Sequence, residues 1–368
     1  MRGISMIVTE FLKTHKNWEE LLSEPPYCVK VKRDGGYVIL SYNQLFSDFS
    51  LELVRECRGL ILDEQTFTPV CVPFYKFGNY GESYVPEIDW SSACVQEKVD
   101  GSLIKVWYNK GEWHVSTSGT VDANKAVLEV TDLFEENCPY KTYADLFEAA
   151  RRKAKLNFDS LNKGYTYMFE LVSPYSKVIV MYNETEIYHI GTRDNATLRE
   201  LETDIGVKKP QRFAINSLEA CIEQAKKLPS DKEGYVVVDK NYNRIKVKNP
   251  VYVALHHLKN NGDVNLSNFI SIVRNNEIEE YVTYFPEFAS RIYDCKRRIE
   301  SIIADLDSTA NELSRKTFAT QKDFALEVKD KFLCRYYFEW FWDKTLTARE
   351  WFWRLPDEKI KKILNKEN

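Results

Sequence analysis

Apolar residues recur at helical spacing near the start of the chain. Ile7, Phe11, Leu12, Trp18, Leu21 and Leu22 predict one amphipathic helix over 7–22, closed by Pro25 and Pro26. From Tyr27 to about Val253 the pattern shortens to strand-like runs at 28–31, 37–41, 59–62, 103–108, 113–116, 167–172, 178–181, 187–190, 235–238 and 244–247. Gly, Asp and Asn separate many of these runs, as hairpins require. Helical patterns interrupt them at 125–134, 143–154, 198–204 and 217–228. Such interleaving predicts an α+β core built mainly on antiparallel sheet. Beyond residue 255 strand runs nearly vanish. Segments 266–281, 286–315, 320–343 and 347–365 fit amphipathic helices, with Ile292, Cys295, Ile299, Ile302, Ile303 and Leu306 on one stripe. Turn chemistry in KNNGDVN, within 255–265, marks the change. Two domains are expected: a sheet-rich domain over 1–255, opening with the N-terminal helix, and an all-α domain over 256–368.

Composition narrows the class. The 368 residues carry 51 Lys plus Arg against 55 Asp plus Glu, a net charge of −4, with 44% hydrophobic residues. This excludes a disordered chain and a nucleic-acid binder identified by bulk basicity. It leaves open a local basic surface, since net charge says nothing of placement. The eight cysteines form no CxxC pair, which argues against a zinc site and for free thiols in a reducing, intracellular compartment. His189, His256 and His257 show no metal-site spacing. No stretch approaches the roughly 18 apolar residues of a membrane span, and the first twenty residues lack a secretory pattern.

The chemistry concentrates in EKVDGSLIKVWY, residues 97–108, where Lys98 precedes Asp100, Gly101 and a strand pattern. Lys-x-Asp-Gly alone is a weak signal. The chain holds it twice, and Lys32 lies in KVKRDGGYVIL, where Asp-Gly-Gly between strand runs makes a plain hairpin turn. For Lys98 the rest of the sequence adds partners. MFELVSP puts Glu170 in a strand run, KEGYVVV puts Glu233 at the start of another, and RIKVKNP sets Lys246 and Lys248 on one strand face. ECRGLIL offers Arg58 at a strand start, and FYKFGNY offers Lys76 beside a Gly-Asn turn. A lysine nucleophile, two carboxylates and several cations suit attack of an amine on the α-phosphorus of a nucleoside triphosphate. Each carboxylate or lysine taken singly is more often an exposed strand side chain; their number and order favour a site. No P-loop or GxGxxG pattern occurs.

In order and spacing, ECRG, YKFGN, EKVDGSLI, FELVSP, EGYVVV and KVK resemble the covalent nucleotidyltransferase superfamily of ATP-dependent ligases and capping enzymes. Within it the similarity is to the RNA ligase 1 family of T-even bacteriophages, over roughly residues 37–253. The resemblance implies an adenylyltransferase fold, ATP as adenylate donor, and Mg²⁺ or Mn²⁺. It implies RNA with 5′-phosphate and 3′-OH ends, such as tRNA under repair, joined through lysyl-AMP on Lys98 and a 5′-adenylylated RNA. By matching motif, Asp100 and Gly101 would shape the turn presenting Lys98, with Asp100 near the metal or the lysine. Arg58 would orient phosphate or ribose, and Lys76 would meet the triphosphate tail. Glu97 would read the adenine amino group, Ile190 and Val236 would sandwich the ring, and Lys246 and Lys248 would grip the α-phosphate. Glu170 would contact ribose or a metal-bound water, and Glu233 would hold the metal.

The resemblance further implies a monomer, a polynucleotide kinase/phosphatase as collaborator, and a cytoplasmic setting, the host's for a phage or viral chain. One departure stands out: the family can carry a lysine in the strand after the nucleophile, where this chain has STSGT at 116–120. Beyond residue 255 the tail balances 19 Lys plus Arg against 19 Asp plus Glu, so its RNA-docking role rests on resemblance and not on charge. Its densest basic run is Lys296, Arg297 and Arg298, and its aromatic clusters at 340–344 and 349–354 are expected to pack a helical core. A DNA ligase or capping guanylyltransferase would append a β-barrel where this tail reads as helices. A non-catalytic RNA-binding protein on a ligase fold would have no use for the full set of side chains.

Overall fold

The computed structural model describes residues 5–128, 138–176, 179–257 and 266–366. The chain forms two compact units, Met1–His256 and His257–Asn368.

In the first unit the expected helix over 7–22 is two helices, α1 (Ile7–Thr14) and α2 (Trp18–Ser23). The Thr14 hydroxyl donates to the carbonyls of Glu10 and Phe11, and His15 turns extended. The break lets Val8, Leu12, Trp18 and Leu22 share one core with Val29, Val38 and Leu40. That core backs a four-stranded antiparallel sheet of β1 (Val29–Asp34), β2 (Tyr37–Tyr42), β3 (Arg58–Asp63) and β4 (Pro69–Cys71), in that order. A short helix, α3 (Glu52–Glu56), precedes β3. Asp34 pairs with Tyr37 across a Gly35-Gly36 turn. Lys32 is therefore a hairpin residue, and its amine donates to the Gly119 carbonyl at 3.2 Å.

Two further antiparallel sheets carry the candidate chemistry. One orders β11 (Arg212–Phe213), β5 (Cys94–Glu97), β12 (Gly234–Val238) and β13 (Arg244–Lys248). Helix α5 (Leu218–Ala225) covers one face of it, where Val95, Tyr235, Val237, Ile245 and Val247 are buried. The other orders β10 (Glu200–Leu201), β9 (Glu186–Asp194), β8 (Tyr165–Val172), β6 (Ser102–Asn109) and β7 (Glu112–Thr117). Helix α4 (Tyr143–Lys153), opened by a reciprocal Thr142–Asp145 cap, packs on its Ile104, Val106 and Phe169 face. This is the expected α+β fold on antiparallel sheet.

Three local expectations change. The run at 178–181 is not a strand over its described part, because the N–H groups of Ile179 and Val180 turn to the Asp100 carboxylate; Val178 lies outside the described residues. The pattern at 198–204 is not helical: Leu198 takes a left-handed φ of 58° and Glu200–Leu201 pairs with β9 as a hairpin. At 125–134 the described part is the end of a 3₁₀ turn, Ala123–Lys125, and a bridge from Val127 to Thr142; residues 129–137 lie outside the description.

Helix α6 (Pro250–His257) closes the first unit. The described elements of the second unit are all helices: α7 (Leu266–Arg274), α8 (Ile278–Tyr284), α9 (Ala289–Ser314) after a 3₁₀ turn at Pro286–Phe288, α10 (Gln321–Val328), α11 (Cys334–Trp342), α12 (Ala348–Trp353) and α13 (Asp357–Lys366). Three of the four expected helices are each split in two. Asn276 and Leu333 adopt left-handed φ of 55° and 53°, and Pro356 separates the last pair. The stripe from Ile292 to Leu306 is buried on α9 as its spacing requires. Trp340, Trp351, Phe352 and Trp353 are core residues, whereas Trp342 is 72% exposed.

Candidate active site

Lys98 sits one residue beyond β5, and its N–H donates to the Gly234 carbonyl at 2.8 Å, prolonging the ladder with β12. That pairing brings its amine to Glu233, the residue before β12: Nζ lies 2.5 Å from Oε2. Glu233 is 5% exposed and the lysine side chain 19%, so the pair is sheltered yet reachable. Asp100 does not meet the amine. Its Oδ2 accepts from the N–H groups of Ile179 (3.0 Å) and Val180 (2.9 Å), and its own N–H donates to the Tyr182 hydroxyl. It fixes the turn by holding the 179–182 segment against it. Gly101 is needed where β6 starts, since a Cβ there would lie 2.5 Å from the Leu171 carbonyl oxygen. The close approach sets Ser102 opposite Leu171 and Leu103 opposite Glu170.

Glu170 completes the cluster. Burial pushes its carboxyl up to about 7; Lys98 and Arg58 pull it down, and the negative charges of Glu233 and Asp100 push it further up. Lys98, Glu233, Asp100 and Arg58 therefore all act on Glu170. Arg58, first in β3, lays its guanidinium 5.6 Å from the centre of the Phe77 ring, and its Nη1 is buried with no hydrogen-bond partner. The Lys246 amine lies 5.1 Å from the same ring. The 75–80 segment is hydrogen-bonded onto β13, with Lys246 N–H to Gly78 O and Tyr80 N–H to Lys246 O. Lys246 and Lys248 lie opposite Val236 and Gly234, two apart on one face.

Other expected residues have less direct places. Lys76 is 8% exposed, its amine 4.9 Å from the Phe49 ring centre and 5.5 Å from that of Tyr42. It lines a cavity of about 490 Å³ with Arg55, Arg193, Arg199 and Arg244. The Glu97 carboxylate pairs with Lys232 at 2.7 Å. Ile190 is the extra residue of a bulge, since Met168 faces Gly191 while Phe169 faces His189. It packs on the cluster of Phe74, Leu103 and Met168, as Phe77 does. Val236 pairs with Gln96, and Gln96 shares a small cavity of about 40 Å³ with Ile190. A cavity of about 990 Å³ lies by the β1–β2 turn, β7 and α4; none of these residues lines it.

Sequence reasoning missed Phe77, the ring shared by Arg58 and Lys246, although YKFGN contains it. It also missed Tyr182 and the cation at Lys105, whose place in an apolar strand run was the available signal. The described residues hold no cluster of three or more metal-type side chains. Two carboxylates, one raised chiefly by burial and further by its neighbour's charge, still fit a hydrated divalent ion that takes its other ligands from water and substrate phosphates.

A family model describing RNA ligases matches residues 56–252, more than half of the chain. The chain belongs to the RNA ligase family. It is 31% identical over 283 residues to the "Putative bifunctional polynucleotide kinase/RNA ligase" of Autographa californica nuclear polyhedrosis virus, covering 72% of this chain and 40% of that one. It is 28% identical to an RNA ligase of Rhodothermus phage RM378 (66% and 68% covered) and to RNA ligase 1 of bacteriophage TS2126 (44% and 41%). The chain thus spans less than half of the first and last of these relatives. Among solved structures, an archaeal ATP-dependent RNA ligase is similar at 14% identity, with a TM-score of 0.42 over 81% of both chains. Family membership agrees with the resemblance read from the motifs. No helix of the described residues is long and apolar enough to cross a membrane.

Proposed function

We propose that the chain is an ATP-dependent RNA ligase that seals 5′-phosphate and 3′-OH ends, with Lys98 as the adenylated nucleophile. One observation carries the reading: a sheltered lysine held 2.5 Å from Glu233, in a cluster with Glu170 and Arg58. The Lys98 ammonium must lose a proton before attack, and Glu233 Oε2 stands where it can receive it. The free amine then attacks the α-phosphorus of ATP; an N–P bond forms, the bond to the bridging oxygen breaks, and pyrophosphate leaves. Arg58, Lys246 and Lys248 neutralise the phosphates as charge moves onto the leaving group. Glu170 and Glu233 would hold Mg²⁺ or Mn²⁺, which supplies Lewis-acid polarisation of the phosphate. The 5′-phosphate of one RNA end next takes AMP from Lys98. The 3′-OH of the other then forms the phosphodiester and releases AMP.

Ile190 and Val236 bound the adenine, Glu97 reads its amino group, Lys76 meets the triphosphate tail, and Asp100 and Gly101 set the turn. Residues 1–255 form the catalytic domain and 256–368 dock the RNA. tRNA under repair is the natural substrate, in the cytoplasm, with the chain a monomer. A polynucleotide kinase/phosphatase prepares the ends; the baculovirus relative's name pairs a kinase with a ligase.

The test is covalent labelling. Protein incubated with α-labelled ATP and Mg²⁺, then denatured, should carry label in the wild type and in Lys32→Ala, and none in Lys98→Ala. Label surviving Lys98→Ala sinks the site. Label from GTP alone marks a capping enzyme, and sealing of DNA ends in preference to RNA marks a DNA ligase.

A further inference from the structure

Lys105 points inward from β6 with no exposed surface, among the rarest places for a cation. Ser116 and Met168 flank it across the sheet, both fully buried. Its amine donates to the carbonyl of Gly59, the residue after Arg58. The approach is tight: a Cβ on Gly59 would lie 3.0 Å from Lys105 Nζ and 2.6 Å from the Ser118 carbonyl oxygen. The groups acting on the amine are the Cys71 thiol from β4 and the Arg58 guanidinium from β3, and among the described residues it has no ion pair. Burial pushes it down to about 8.

Two neighbouring cations thus stand together, one wholly buried and without an ion pair among the described residues, the other within reach of Glu170's charge but with a buried Nη1 that has no hydrogen-bond partner there. A methionine would fill the Lys105 space without the desolvation cost of an ammonium. A charge retained against that cost is explained by an anion that arrives with the substrate, and phosphate matches a planar guanidinium best.

We propose that Arg58 and Lys105 form a phosphate-recognition site: Arg58 touches the phosphate, and Lys105 is a positioning residue that fixes the Gly59 carbonyl behind it and adds to the positive field. The inference rests on the ligase reading and deepens it. The ligand is a phosphate group, either on the ATP tail or at the RNA 5′ end.

Lys105→Met in the full chain removes charge and donor while keeping volume. Two arms separate the sources: lysyl-AMP formation at varied ATP, and AMP transfer from preformed lysyl-AMP to 5′-phosphorylated RNA. Losing the Lys105 charge and its hold on the Gly59 carbonyl should raise KM about tenfold or more in one arm, with kcat within about threefold. The arm that moves names the source. The variant should also melt at a higher temperature, since a buried unpaired charge has gone. Unchanged KM in both arms overturns the proposal, and so does a lower melting temperature with kcat and activity falling together. Should the variant fail to fold, the wild type decides. KM in one arm should rise as pH climbs through about 8, where Lys105 loses its proton, and a flat profile in both overturns the idea. A wild-type chain that takes no label from ATP fails the ligase reading itself, a separate and visible result.

Discussion

The Lys98–Glu233 contact sets the first proton transfer. An ammonium cannot attack, and the Glu233 oxygen 2.5 Å away is an acceptor in place for the proton that must leave. Glu233→Gln keeps the shape and removes the acceptor. Lysyl-AMP formation in single turnover should slow by about 10²–10³-fold, with ATP affinity changed far less. A rate within a few fold of wild type would assign the proton to another group. Lys98 and Glu233 were legible in sequence because each sits in a motif whose order is distinctive. Phe77 and Lys105 were not. An aromatic in a loop and a lysine in an apolar strand acquire meaning only when β3, β6 and β13 converge, and that convergence is tertiary.

At the scale of elements, period decided what could be read. Strands paired with neighbours on both sides, such as β2, β6 and β8, show the runs that periodicity finds. Short edge pieces such as β4 and β11 do not, because pairing partners and not their own pattern make them strands. The helical breaks at His15, Asn276 and Leu333 were invisible for the opposite reason: the apolar stripe resumes after one irregular turn. Glu56, at the end of α3, has a part of this kind. Its carboxylate accepts from the N–H groups of Ile7 (3.1 Å) and Val8 (2.7 Å), closing the start of α1. Burial pushes it up to about 7 against those two bonds. The native state then binds a proton that the unfolded chain releases above about 4.5, so the stability tied to that proton is full below 4.5 and lost as pH rises through 7. The loss is on the order of 3 kcal/mol. Thermal melts at pH 5 and pH 8 should show the fall in the wild type and a smaller one in Glu56→Gln, where Glu170 is left as a carboxyl raised to about 7. Equal slopes would mean that other groups carry the pH dependence.

For the whole molecule, a net charge of −4 says little about RNA affinity, because the cations proposed to meet phosphate are few and local: Arg58, Lys76, Lys246 and Lys248. That scarcity can be measured. Each neutralised phosphate of a single strand contributes about −0.7 to the slope of log K against log salt. With all four taken over by RNA phosphates once pyrophosphate has left, the slope is near −3, and steeper only where further cations join. The helical unit carries equal numbers of acidic and basic residues, so charge alone does not decide whether it adds contacts. The first unit holds every candidate catalytic side chain, and its sheets have cores of their own. A fragment of residues 1–256, checked for a cooperative melt, should still form lysyl-AMP at a rate near that of the full chain. If the tail docks RNA, the fragment should keep the shallow slope near −3 and the full chain should show a steeper one with tighter binding. Identical slopes and affinities in the two would confine RNA recognition to the sheet-rich unit and remove the docking role from residues 257–368.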